Sequence, residues 1–198
     1  ADSGYSHTSA PLIVGNKVIV GIAGGEYGIR GSVTAYDTET GRQLWRFYTI
    51  PSPAEGGWWG KYAPATPWGD KLPRDIAKEH ADSAKYADTW KIGGSPVWVT
   101  PAYDPELGLI YFGTGNPSPS NNGAERPGDN LYNNSTVALD VETGKIRWYV
   151  QHIPHDLWDY DIPNPPILAR VGGWTELGPE EGRRLANELS ERLKRERA

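Results

Sequence analysis

Three aspartates and a histidine lie within the seven-residue stretch from His155 to Asp161, together with two large aromatic residues. The alternation from Trp158 to Asp161 has the period of a β-strand, which would place Asp159 and Asp161 on the same side. Two carboxylates on one side repel each other unless a cation or a shared proton relieves them. The stretch therefore predicts either a hard-metal site, in which one carboxylate is also a general base, or a strand end with solvated acids.

Two further oxygen-bearing side chains follow glycine-rich turns at corresponding places in the chain. Glu26 comes after a pair of glycines, and Asn116 comes after Gly113-Thr114-Gly115. This parallel placement predicts that both lie at the same end of a repeated structure, near Asp159. Carboxylate and amide oxygens together suit a hard cation such as calcium, although each residue taken alone is typical of an ordinary loop.

A repeated sequence pattern must position these residues. An Asp…Gly…Trp signature occurs twice at a single offset, and each copy contains two predicted strands preceded by another strand pair, near 11–22 and 101–112. In such a signature Asp caps a turn, Gly takes a positive φ, and Trp fills the space between sheets. Repeated four-strand units predict an all-β chain with about two to three blades of a β-propeller. The matched residues are Asp37 with Asp140, Gly41 with Gly144, and Trp45 with Trp148.

Two segments depart from the repeat. Residues 51–94 are rich in Pro, Gly, Trp and charge, and we expect an inserted loop with a helical turn near 74–86. From Pro179 onward, leucines recur every four residues, which predicts an amphipathic C-terminal helix, either packed on the blades or free to dock on a partner. We therefore expect a partial propeller over 1–168, followed by a linker and helix over 169–198.

The composition excludes several kinds of site and partner. The 198-residue chain contains no cysteine, so it has no disulfide, thiolate metal site or covalently attached haem. A net charge of -5 without a basic stripe argues against nucleic acid as a partner. The lack of a long apolar run predicts no transmembrane helix. The N-terminus lacks the features of a signal peptide, which predicts a mature form or a fragment.

From residue 4 to about 167 the chain resembles the quinoprotein alcohol dehydrogenases, the pyrroloquinoline quinone (PQQ) enzymes typified by methanol dehydrogenase. The resemblance implies a β-propeller that oxidises a primary alcohol to an aldehyde by hydride transfer to the quinone. It also implies a c-type cytochrome as the electron acceptor and a periplasmic location. Besides the repeat, the stretches that carry it are Gly24–Gly31, Gly113–Pro117, Arg126–Asn130 and Pro154–Asp161.

The same resemblance implies roles for individual residues. Glu26, Asn116 and Asp159 correspond to the family's metal ligands, and Asp159 also corresponds to its catalytic base. Asp161 corresponds to an extra acid of the lanthanide-using branch, so the ion would be Ca²⁺ or a lanthanide; the alternative for Asp161 is a turn-capping acid. Trp98 corresponds to the tryptophan on which the quinone stacks. The other positions implied to bind the cofactor are Thr8, Ala23, Gly24 and Gly25.

The chain also departs from the family pattern. Full members have about eight blades, and their adjacent cysteine pair is missing here. We expect a truncated or recombined fragment whose open blade edges favour self-association. His155 and Asp156 are expected to form a structural hydrogen-bonded pair. Three hypotheses remain: a PQQ-dependent alcohol dehydrogenase or a piece of one, a non-catalytic propeller module that binds other proteins, and an inactive fragment.

Overall fold

The computed structural model describes residues 4–164 and 166–168. Contacts divide the chain into two units, Ala1–Pro166 and Ile167–Ala198, and every element below belongs to the first. The predicted C-terminal helix lies outside the described residues, so the division into 1–168 and 169–198 stays a prediction. In the described part of the chain, no helix is long and apolar enough to cross a membrane.

Eight short strands form two four-stranded antiparallel sheets, in the orders β1-β2-β3-β4 and β5-β6-β7-β8. Each sheet is a meander of sequential strands, which is the construction of a propeller blade. The predicted β-propeller fragment is therefore confirmed, with two complete blades in the described residues. The strands are β1 (Leu12–Val14), β2 (Lys17–Gly21), β3 (Ser32–Asp37), β4 (Gln43–Tyr48), β5 (Ala102–Asp104), β6 (Leu109–Gly113), β7 (Ser135–Asp140) and β8 (Ile146–Gln151).

The insertion between the blades contains the predicted helical turn. Helix α1 (Ile76–Asp82) begins after Asp75, whose carboxylate accepts a hydrogen bond from Lys78 N at 3.0 Å and so caps the first turn. A 3₁₀ turn, Ser83–Tyr86, continues from its end. Further 3₁₀ turns are Gly25–Tyr27, Pro53–Glu55, Thr89–Ile92 and Gly123–Glu125.

The two signature turns have the same structure. Asp37 Oδ1 accepts from Thr40 N, and Asp140 Oδ1 accepts from Thr143 N, both at 2.9 Å. The glycines that end these turns have φ values of 68° and 67°, a left-handed conformation that favours glycine. The roles predicted for Asp and Gly in the repeat are therefore confirmed.

Trp45 connects the two blades, as its place in the repeat predicts. Its indole packs on Gly144 in the second blade, and its Nε1 donates to Val141 O at 3.1 Å. Around it, buried side chains from both sheets form one apolar core. The other members of that core are Val14, Ile19, Val33, Ala35, Val97, Ile110, Phe112, Val137, Leu139 and Val141.

We predict that Gly144→Ala destabilises the chain more than Gly108→Ala. The two glycines have φ values of 67° and 63°, so the backbone strain is matched. A Cβ at residue 144 would lie 2.5 Å from the Trp45 ring, whereas nothing lies within 4 Å at residue 108. The extra loss in unfolding free energy should be about 1–3 kcal/mol, measured by urea denaturation. Equal losses would contradict the packing of Trp45 on Gly144.

Candidate functional site

Two backbone segments, one at Val97 and one at Ile162, cross the ends of β2 and β6 and build the site. The N–H groups of Val97 and Ile162 donate to carbonyls just after β2 and β6. A Cβ at Gly21 or Gly113 would overlap the carbonyl oxygen of Val97 or Ile162, so only glycine permits the close approach. The acceptors are Ile22 O at 2.8 Å and Thr114 O at 3.2 Å.

Gly115 lies where these two crossing segments meet. Its N–H donates to Pro96 O at 2.9 Å. A Cβ here would overlap the Trp98 ring and lie 2.9 Å from Asp161 Oδ1, so both side chains pack against the bare glycine backbone. Asp161 Oδ1 also accepts a hydrogen bond from Asn116 N at 3.0 Å. Three stretches that are far apart in sequence, 96–98, 115–116 and Asp161, therefore share one corner, which we call the Gly115 corner.

The side-chain amide of Asn116 is buried in this corner, with 2 % of the residue exposed. Its Nδ2 donates to Pro117 O at 3.2 Å. Its Oδ1 points toward Gly25, 3.4 Å from the position that a Cβ would occupy there. No hydrogen bond to this oxygen occurs among the described residues. A carbonyl oxygen that no hydrogen-bond donor occupies is suited to act as a ligand for a cation.

Several carboxylates act on the corner electrostatically, but they do not by themselves form a metal-binding cluster. Partial burial of the Asp161 carboxyl raises its pKa, the hydrogen bond from Asn116 N opposes this shift, and the negative charges of Asp159, Glu26 and Asp156 add to it. These acids therefore interact electrostatically, although Glu26, Asp159 and Asp161 are all exposed by surface area. A cation would relieve their repulsion.

Within the described residues, no three or more His, Cys, Asp or Glu side chains are arranged to hold a metal ion by themselves. The one uncharged side chain at the corner that could be a metal ligand through its oxygen is the amide of Asn116. The convergence of Glu26, Asn116 and Asp159 on one ion therefore stays a prediction.

The residues predicted to bind a cofactor lie next to the Gly115 corner. Thr8 Oγ1 donates to Trp98 O at 3.4 Å, and Ala23 N donates to Ser6 O at 2.8 Å. A Cβ on Gly24 would overlap Gly4 O, and one on Gly25 would lie 2.8 Å from Pro96. The backbone of these glycines and the half-buried indole of Trp98 therefore line one small region. Such a surface suits the binding of a flat ring that carries carboxylate groups.

The stretch from Trp158 to Asp161 is not a strand, and that prediction was wrong. The carboxylate of Asp156 accepts from Trp158 N at 3.0 Å and from Tyr160 N at 2.9 Å, which closes a turn instead. Asp159 takes a left-handed φ of 63° in this turn. Asp156 therefore caps the turn, rather than Asp161, whose carboxylate bonds to a distant backbone N–H.

His155 and Asp156 do not form the predicted hydrogen-bonded pair. His155 Nδ1 bonds to Gly128 O at 2.8 Å, whereas both oxygens of Asp156 bond to backbone N–H groups. Both residues are buried and both have structural partners, but those partners lie on different segments. The predicted pair does not form because the two side chains bond to different backbone groups instead of to each other.

The sequence analysis missed a buried charge cluster that adjoins the site. Arg74 donates to Glu79 Oε1 and to Asp129 Oδ1, both at 2.8 Å, and its side chain is almost fully buried. Glu79 Oε2 also accepts from Gly128 N at 2.9 Å and lies 3.6 Å from His155 Nδ1. The cluster attaches the insertion to the segment that leads into the Asp159 turn.

Arg126 is a second buried charge that the sequence analysis assigned no role. It is fully buried, and burial lowers its pKa to about 10. Its guanidinium donates to Asn130 Oδ1 and Ser120 O at 2.7 Å, to Pro119 O at 2.8 Å, and to Asp156 O. The sequence analysis singled out Arg126–Asn130 only as one of the stretches that carry the family resemblance.

The comparisons with known proteins agree on one family. The model described as "PQQ: Glucose/ethanol/alcohol dehydrogenase, beta-propeller domain" matches residues 1–176. The chain is 44 % identical over 170 residues to quinohemoprotein alcohol dehydrogenase ADH IIB of Pseudomonas putida, covering 84 % of this chain and 23 % of that protein. It is 41 % identical over 166 residues to methanol dehydrogenase [cytochrome c] subunit 1 of Methylorubrum extorquens, covering 84 % and 25 %.

Solved structures show the same similarity. Quinohemoprotein alcohol dehydrogenase from Comamonas testosteroni matches with a TM-score of 0.64 and 37 % identity, over 84 % of this chain and 23 % of that one. A europium-containing methanol dehydrogenase matches with a TM-score of 0.62 and 36 % identity, over 82 % and 27 %. The chain spans about a quarter of the length of the relatives it matches.

We predict that His155 makes stability depend on pH. Burial lowers the pKa of His155 to about 4, whereas the unfolded chain binds this proton near pH 6.5. The unfolded state therefore gains protons first as the pH falls. The contribution of neutral His155 to the free energy of unfolding is fully present above pH 6.5 and is lost as the pH falls toward 4. Urea unfolding should show a loss of about 2–3 kcal/mol between pH 7.5 and 4.5.

The pH effect should be smaller by that amount in His155→Gln. His80→Gln, which removes an exposed imidazole from α1, serves as the matched control and should keep the wild-type dependence. An unchanged pH slope in His155→Gln would show that this histidine is not held neutral by the fold.

Proposed function

Because the chain belongs to the PQQ-dependent glucose/ethanol/alcohol dehydrogenase β-propeller family, we propose that it is part of an enzyme that oxidises a primary alcohol to an aldehyde. The relatives named above are alcohol and methanol dehydrogenases. The observation that carries the proposal is the Gly115 corner, where the indole of Trp98, the amide of Asn116 and the carboxylate of Asp161 meet beside glycine backbone, within electrostatic reach of Glu26 and Asp159.

The proposed metal ligands are Glu26, Asn116 and Asp159. Asn116 would contribute its side-chain Oδ1, which points toward Gly25, and the two exposed acids would contribute negative charge. All-oxygen ligands suit Ca²⁺ or a lanthanide ion. Asp161 adds a further negative charge at the corner, which favours a trivalent over a divalent ion because Coulomb attraction scales with ionic charge. Two relatives are named as lanthanide-dependent methanol dehydrogenases, which supports this choice.

The proposed cofactor platform is the indole of Trp98, backed by the bare backbone of Gly115. A planar quinone would stack on the indole. Backbone and small side chains at Ala23, Gly24 and Gly25 would leave room for its carboxylates, and Thr8 would hold Trp98 in place through the hydrogen bond to its carbonyl. The chemistry of these residues, an indole face beside glycine backbone, therefore suits PQQ.

When bound, PQQ would supply the two-electron acceptor and the metal ion would supply the Lewis acid of the reaction. Asp159 would accept the proton of the substrate hydroxyl as general base, and its exposed carboxylate is accessible for that role. Asp156 would act as a positioning residue, because its hydrogen bonds to Trp158 N and Tyr160 N shape the turn that carries Asp159.

The remaining parts of the proposal concern partners and location. A c-type cytochrome would accept the electrons, which the name of the methanol dehydrogenase relative supports for that protein. We propose a periplasmic location on the strength of the family resemblance. A primary alcohol is the proposed substrate.

Calorimetric titration of PQQ into the chain, with and without La³⁺ or Ca²⁺, tests the binding site. We expect binding that requires the metal. Asn116→Ala should weaken metal binding by at least about tenfold because it removes a ligand. Asn121→Ala, at an exposed loop position, should bind like the wild type. Metal-independent binding, or none, would favour a non-catalytic module or an inactive fragment.

Asp159→Asn separates catalysis from binding. With PQQ and La³⁺ bound, the wild-type chain should reduce an artificial electron acceptor when ethanol is added. The variant should still bind PQQ but react about 10²–10⁴-fold more slowly, because it cannot take up the hydroxyl proton. Asp70→Asn, in the insertion, is the control and should react normally. Equal rates for Asp159→Asn and wild type would exclude Asp159 as the base.

A further inference from the structure

Arg126 is a buried cation that donates its hydrogen bonds to neutral oxygens. No part of the residue is exposed. Its hydrogen bonds use Nε, Nη1 and Nη2, and their acceptors are backbone carbonyls and one side-chain amide. Burying a guanidinium on neutral acceptors is costly. The planar fork of a guanidinium can, however, hold several acceptors in fixed directions, which a lysine or an apolar side chain cannot do.

Three of these acceptors lie on the two segments that carry the proposed ligands Asn116 and Asp159. Nε donates to Pro119 O at 2.8 Å, and Nη2 donates to Ser120 O at 2.7 Å, both shortly after Asn116 in the chain. Nη2 also donates to Asp156 O, shortly before Asp159. One guanidinium therefore connects the two segments through their backbone carbonyls.

A second contact connects the same two segments on the other side of Asp159. Asp161 Oδ1 accepts a hydrogen bond from Asn116 N at 3.0 Å. The turn that carries Asp159 is thus attached to the Asn116 segment at both of its ends, at Asp156 and at Asp161. Between these attachments, the Asp156 carboxylate closes the turn through its two bonds to backbone N–H groups.

The side chain of Arg126 is itself held in a fixed orientation. Nη1 donates to Asn130 Oδ1 at 2.7 Å, and Asn130 Nδ2 donates back to Arg126 O at 2.9 Å and to Pro127 O at 3.2 Å. Asn130 is also fully buried, and it takes a left-handed φ of 59°. The guanidinium therefore has a rigid frame from which it fixes the position of Asp156 O.

We propose that Arg126 is a positioning residue that sets the distance between the side-chain oxygens of Asn116 and Asp159. The inference rests on the metal site proposed above, and it makes the affinity of that site for a hard cation depend on a residue behind the ligands. Arg126 acts through the backbone carbonyl of Asp156. Lysine at this position would keep the positive charge but lose the planar fork, so it would release at least one of the two segments.

Luminescence titration of the full chain with Tb³⁺ measures the effect on the metal site. Arg126→Lys should bind Tb³⁺ about 10–100-fold more weakly than the wild type, as expected when the support behind a ligand is lost. Asn130→Gly removes the side chain that orients Arg126 and tolerates the left-handed φ, so it should also weaken binding, but less. Gly144→Ala strains the packing of Trp45 instead and should bind like the wild type, which controls for general destabilisation.

Amide hydrogen exchange in the metal-free chain tests the same role without any ion. In Arg126→Lys, the amides of Trp158 and Tyr160 should exchange at least about tenfold faster, because hydrogen bonds from a charged donor behind their turn have been lost. Amides in the middle of β6 and β7 should keep their wild-type rates. That contrast separates local loosening of the turn from global unfolding.

The two measurements separate failure of this inference from failure of the proposed function. A wild type that binds no Tb³⁺ would contradict the metal site, and amide exchange would then decide the role of Arg126 by itself. Wild-type Tb³⁺ affinity in Arg126→Lys, or unchanged exchange at Trp158 and Tyr160, would overturn the inference. If Arg126→Lys does not fold, Asn130→Gly provides the same two measurements with the guanidinium still present.

Discussion

The close passage of one backbone over another at Gly21 and Gly113 is the constraint on which the proposed site depends. Each glycine lets a crossing segment come within hydrogen-bonding distance of the end of an inner strand. A side chain at either position would push that segment away, and Trp98 or Asp161 would move with it. The arrangement of the indole and the carboxylate around Gly115 is therefore set by backbone hydrogen bonds within and between the blades, and only secondarily by side-chain packing.

A second constraint comes from the buried charges behind the Asp159 turn. Removing Arg74, Glu79 and Asp129 from water is costly unless each charge is fully paired. The pairing is nearly complete here, because Asp129 also accepts from Lys61 N at 2.7 Å and Ala63 N at 2.6 Å. The insertion over 51–94 is thus held against the blades by specific polar contacts. These contacts also support the segment that contains Asp156, and the Asp156 carboxylate shapes the Asp159 turn.

The parts of the structure that follow from local sequence were predictable. The strands and the capped turns arise from residues within one repeat, whose periodicity and turn chemistry are visible in the sequence. The packing of Trp45 joins two repeats and was predictable because the tryptophan recurs in the signature. The strand expected over Trp158–Asp161 failed because the Asp156 carboxylate captures backbone N–H groups that a ladder would need. The ion pair between Arg74 and Asp129 joins residues far apart in sequence, and no periodic pattern marks such a pair. The neighbours of Gly115 were suggested by family resemblance, whereas their contacts required the fold.

We propose that the Gly115 corner holds one hard metal ion beside the indole of Trp98. The most direct measurement is a crystal structure of the chain soaked with a lanthanide and PQQ, with the ion located by its anomalous scattering. We expect a single strong anomalous peak within about 2.3–2.6 Å of oxygens from Glu26, Asn116 and Asp159, with the quinone stacked on Trp98. A peak elsewhere, or no peak at saturating ion concentration, would contradict it.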